Sequence, residues 1–131
     1  MPSQNAVLTR GLPQRSRQAV YLRLNGKYLR EAEELLAKRD YAQASEKLWG
    51  AVAETIKALA AKRALQLGTH RSLGEFVVKL HKEHPDLGLM SAFRDANALH
   101  TNFYEDWLPP ELVLDGARAA KEFVEKLKRF V

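Results

Sequence analysis

Cysteine is absent from the chain, so neither a disulfide framework nor a thiolate metal site is available. Stability must come from packing alone. No apolar run approaches the roughly 18 residues that a membrane span requires, which excludes a transmembrane helix on sequence grounds. The first residues lack the basic-then-apolar order of a signal peptide, so a cytoplasmic location is expected. Asparagine, glutamine and methionine are scarce beside alanine, glutamate, lysine and arginine, a balance compatible with a thermophilic source. Acidic residues are missing altogether from residues 1–30, where Arg10, Arg15, Arg17, Arg23, Lys27 and Arg30 stand. Beyond residue 30 acids and bases nearly cancel, so the net charge of +5 is concentrated at the N-terminus. That asymmetry favours a polyanionic partner, with RNA first, because phosphate contacts are the sequence-independent part of nucleic-acid binding. A solvated leader that binds nothing specific has the same composition.

What is present is a single helical domain by length and by period. Pro2, Gly11 and Pro13 with no sustained periodicity make residues 1–13 an arm, and residues 14–131 the domain. From Gln14 to Arg39, Val20, Leu24, Tyr28, Leu29, Leu35 and Leu36 approximate helical spacing, as one bent helix or two segments. Asp40 with Gln43 opens a second helix, expected to run to about Leu67 and to end at Gly68 as a left-handed cap. Ser72 with Glu75 is expected to open the third, which Pro85 breaks. A fourth is expected over about Asp86 to Trp107, and Pro110 suits the first turn of a fifth. With no convincing period-two alternation, the fold class is all-α: an up-and-down bundle of four to five helices.

The chemistry, if any, lies in "RDANALHTNFYEDW". Arg94 and His100 are six apart, about 120° around a helix, with Asn97 between them and Tyr104 four residues on. On one reading His100 is a core or interface histidine and Arg94 a surface charge. On the other the stripe faces a groove, and His100 is a general acid or base. Arg94 then holds a phosphate and stabilises developing charge, while Asn97 and Tyr104 orient the imidazole. Those roles suit metal-independent RNA cleavage by the substrate's own 2′-hydroxyl.

Elsewhere the signals are thinner. Trp49 sits off the main apolar stripe of its helix and Gly50 is mid-helix, a pairing read as a packing or dimer contact. His81 and His84 lack a third metal ligand at suitable spacing, so no metal site is expected. His70 and Arg71, just before a helix start, are read as loop residues able to meet a phosphate. No cofactor motif occurs.

"RDANALH" resembles the Arg-to-His motif of the HEPN superfamily, with Arg94, Asp95 and His100 matching. "DYAQASEKLWGAVAETIKALA" and "LHTNFYEDWL", with "EFVEKL" near the C-terminus, resemble the archaeal PaREP family, a helical group related to HEPN proteins. The resemblance covers about residues 28–128 and leaves the basic arm outside. It implies a HEPN-like bundle that forms a homodimer. It also implies an RNase or RNA-binding role of toxin–antitoxin or defence type, with a nucleotidyltransferase-type antitoxin as possible partner. By the same resemblance Arg94 and His100 are the active pair, with Asp95 or Asn97 in support. The competing class is a non-enzymatic helical adaptor for protein or RNA.

Overall fold

The computed structural model describes residues 11–131, so Arg10 and most of the N-terminal arm lie outside the described residues. Among the described residues five α-helices follow in order: α1 (Gln14–Ala37), α2 (Tyr41–Lys62), α3 (His70–Glu83), α4 (Leu89–Glu105) and α5 (Pro110–Lys128), with a 3₁₀ turn at Pro85–Leu87. No strand occurs among the described residues. The all-α expectation holds, and α1 is one continuous helix rather than two segments.

Helix α2 is the spine. It packs against α1, α3, α4 and α5, and residues 51–61 are all buried. Being covered on every side, its polar groups need partners from other helices. Asn25 of α1, fully buried, donates to the Ala51 carbonyl and to Thr55 Oγ1, both at 2.7 Å. Gly50 allows close approach in the α1–α2 hairpin, since a Cβ there would stand 2.9 Å from the Tyr28 ring. Gly50 therefore serves packing within the chain.

Several helix ends differ from the sequence expectation, each for a local reason. Asp40 caps α2 as expected, accepting from the Gln43 N–H at 3.2 Å. The helix stops at Lys62, not near Leu67. Ala64 takes the left-handed conformation (φ 61°), and the Leu65 N–H reaches back to the Ala60 carbonyl at 2.9 Å, the 6→1 bond of a Schellman motif. Alanine fills the place expected of Gly68, which frees Leu67–Thr69 to form a wall of the site described below. Helix α3 starts two residues before Ser72: Thr69 is its N-cap and Ser72 completes a reciprocal capping box. Glu75 instead pairs with Arg71 at 2.9 Å. After the Pro85–Leu87 turn, Gly88 (φ 64°) starts α4 later than Asp86, and Asp106 (φ 48°) ends it before Trp107. Pro110 opens α5 as expected.

The corner between α4 and α5 hangs on one buried amide. Asn102 donates from Nδ2 to Ser45 Oγ at 3.0 Å, while its Oδ1 accepts from the N–H groups of Trp107 (2.8 Å) and Leu108 (2.7 Å). Replacing it strands two backbone donors and unpins α4 from α2. Asn102→Ala is expected to cost roughly 2–3 kcal/mol in denaturant unfolding. A loss below about 0.5 kcal/mol, the size of an ordinary surface change, would contradict the assignment.

Candidate functional site

Two imidazoles meet over one indole. Trp49 of α2 is buried, with 6% of its surface exposed. The His70 ring, at the first residue of α3, stacks on it with centroids 4.8 Å apart and planes 19° from parallel. The His100 ring of α4 lies 5.3 Å from the same indole, and the two imidazoles are 5.4 Å apart and nearly parallel. Tyr104, one turn beyond His100, meets it edge-on at 5.4 Å.

Each imidazole is held at one nitrogen. His100 Nδ1 lies 2.9 Å from Glu46 Oε1, and both side chains are about a quarter exposed (28% and 27%). A carboxylate oxygen only accepts, so Nδ1 carries the proton and Nε2 is left as the free base. His70 Nε2 lies 2.7 Å from Asn97 Oδ1. The amide oxygen likewise accepts, which leaves His70 Nδ1 bare. The arrangement fixes opposite tautomers on neighbouring rings.

Beside the rings lies a cavity of about 200 Å³, bordered by Trp49, Lys57, Leu67, Thr69, His70 and His100. Lys57 is buried and pairs with Glu54 at 3.5 Å, one turn along α2. The loop that walls the cavity is tied at its base. Arg63, just past the end of α2, grips Glu83 at the end of α3 with two parallel hydrogen bonds of 2.8 and 2.6 Å. The hydrogen bond from Arg63, more than its charge, holds the Glu83 carboxyl below the ordinary glutamate range.

Of the residues singled out in the sequence, His100, Asn97 and Tyr104 come together here. Arg94 does not pair with His100: it is exposed and opens on the neighbouring α3–α4 groove, which it shares with His70. Asp95 is exposed and borders the α4–α5 groove with Ala98, Leu112 and Asp115. Arg15, Arg23, Lys27 and Arg30 are exposed on α1. Arg17 is half-buried and donates to the Leu12 carbonyl at 2.8 Å. Glu46, Trp49 and His70 complete the cluster from α2 and α3, and sequence reading had not joined them to it. Their only advance signals were the mid-helix tryptophan beside Glu46 and a histidine placed just before a helix start. His84 packs on Phe130 at 4.3 Å, and no group of three or more possible metal ligands occurs among the described residues.

The match to a known family spans Glu46, Trp49, His70, Asn97, His100 and Tyr104. Residues 20–124 fit the archaeal PaREP1/PaREP8 family, from within α1 to near the end of α5. The chain belongs to the archaeal PaREP1/PaREP8 family. The part of the basic N-terminus holding Arg10, Arg15 and Arg17 lies outside the PaREP match. A crystal structure of a Sulfolobus solfataricus protein shares the PaREP chain's fold, with a TM-score of 0.73 and 24% identity over 82% of this chain and 95% of that one. No curated protein matches. No helix among the described residues is long and apolar enough to cross a membrane.

The Arg63–Glu83 fork has a definite pH signature. A carboxyl whose pKa is lower folded than unfolded stabilises above its unfolded value, and that contribution disappears as pH falls through the folded value. Arg63→Gln is therefore expected to lower Tm at neutral pH by a small amount, both groups being about a third exposed. The difference from wild type should vanish below the carboxylate range. A difference that persists unchanged in acid would show that Arg63 acts through packing, including its contact with the Phe76 ring at 5.6 Å.

Proposed function

We propose that Glu46, His70, Asn97 and His100 form an acid–base centre for metal-independent cleavage of RNA. The observation that carries this reading is the pair of imidazoles 5.4 Å apart, each fixed at one nitrogen by a separate polar side chain. Imidazole is the side chain whose proton exchange falls near neutral pH. His100 Nε2 takes the proton of the 2′-hydroxyl, whose oxygen then attacks the adjacent phosphorus. The bond from phosphorus to the 5′-oxygen breaks, and His70 in its protonated form gives that oxygen a proton from Nδ1. The products are a cyclic 2′,3′-phosphate and a 5′-hydroxyl, and exchange with water restores both rings. Glu46 keeps His100 in the basic tautomer and steadies the imidazolium, Asn97 positions His70, and Tyr104 limits the swing of His100. The exposed arginines and lysine of α1 supply sequence-independent phosphate contacts.

A second reading rests on a different surface. Tyr104 (71% exposed), Trp107 (53%) and Leu112 (51%) leave apolar area open at the α4–α5 corner. Such area favours a protein contact, whether the homodimer or the antitoxin partner that the HEPN resemblance implies, with the chain acting as an adaptor.

RNA cleavage in EDTA by wild type, His100→Ala and His70→Ala separates the two. The acid–base reading expects each variant to lose 10²-fold or more in rate, the usual contribution of a positioned acid or base. Melting temperatures should shift by only a few degrees, since neither ring is fully buried. Cleavage that survives both substitutions, or none by the folded wild type across single-stranded and structured RNAs, would favour the adaptor.

A further inference from the structure

We infer that the groove between α3 and α4 is a nucleobase subsite, and that its occupant is an unstacked nucleotide whose phosphate is held by Arg94. The inference rests on the acid–base reading for its direction but on separate observations for its chemistry. The groove encloses about 440 Å³, within the range of small-molecule sites. Its floor is apolar and open: Phe93 is half-buried, while Val78 and Met90 expose 40% and 37% of their surface. Gly74 keeps it open, for a Cβ there would already touch the Phe93 ring at 3.5 Å. A side chain at that position would fill the space.

The rim is asymmetric in charge. Arg71 is occupied by Glu75 at 2.9 Å. Arg94, four residues beyond Met90 on α4, engages no acidic side chain among the described residues and is exposed. One uncommitted guanidinium at the edge of an apolar, aromatic-floored groove fits a planar body carrying a single anionic group. Guanidinium binds phosphate oxygens in pairs, and a base ring packs on the phenyl and thioether surfaces beneath.

Position names the ligand class. His70 borders both this groove and the cavity beside His100, so a nucleotide seated with its base on Phe93 and its phosphate on Arg94 leads the adjoining backbone toward the imidazole pair. A base can enter only when splayed from its neighbours, which makes single-stranded RNA the substrate and excludes paired regions. Arg94 becomes a binding residue here rather than a partner of His100 in the chemistry.

Calorimetric titration of the whole protein with uridine 3′-monophosphate, adenosine 3′-monophosphate, adenosine and inorganic phosphate tests this at low salt. At least one nucleotide should bind about tenfold or more tightly than adenosine or phosphate alone, because only the nucleotide meets both floor and rim. Arg94→Ala should weaken it about tenfold, the worth of a charge-assisted hydrogen bond. Val78→Asp, an exposed site that leaves the fold intact, should do likewise by placing a carboxylate on the apolar floor. Equal affinity for inorganic phosphate and nucleotide overturns the subsite, as does wild-type affinity in both variants or no binding at about millimolar ligand. The two readings fail separately. Nucleotide binding without RNA cleavage by wild type removes the acid–base centre and keeps the groove, whereas cleavage indifferent to Arg94→Ala and Val78→Asp removes the groove alone.

Discussion

The burial of α2 along residues 51–61 is the constraint from which the rest of the structure follows. Polar side chains there, and those on the half-covered turns before it, must find partners or lose the stability that apolar burial supplies. Four such pairs result. Thr55 meets Asn25 of α1, Ser45 meets Asn102 of α4, Glu54 meets Lys57 within the helix, and Glu46 meets His100. The first two lock the bundle. The last places an oriented imidazole at the surface of α2, where Trp49 gives it a flat floor shared with His70. The candidate site is thus a by-product of how the spine is satisfied, with the same class of contact doing structural work at one end and preparing chemistry at the other.

Local signals in the sequence were legible where local physics decides. Asp40 capping α2 and Pro110 opening α5 were readable because each acts on its own neighbours. The end of α2 was misjudged because Ala64 adopts a left-handed cap that glycine usually fills, and its Schellman bond is invisible to residue type. Likewise the Thr69–Ser72 box uses serine where glutamate is the usual sign. Within α4, Asn97, His100 and Tyr104 lie together because three- and four-residue steps share a face, while Arg94, the fourth member of the expected stripe, opens on the α3–α4 groove. Asp95 stands two residues before Asn97, which turns it toward the α4–α5 groove. Glu46 and His70 join the site through tertiary contacts spanning 54 and 27 residues, and no period within one helix encodes those.

Separating Arg94 from His100 changes how the motif works. Six residues apart on one helix, the two point into adjoining recesses rather than at one atom, and His70, from another helix, is the residue that borders both. Under the proposed function the guanidinium selects and holds while the imidazoles exchange protons.

The fold presets two opposite imidazole tautomers. Long-range ¹H–¹⁵N correlation of the histidine rings reads this directly. His100 is expected as the Nδ1–H form and His70 as the Nε2–H form, with Glu46→Ala releasing the first and leaving the second in place. Finding both rings in the same tautomer, or His100 indifferent to Glu46→Ala, would contradict it.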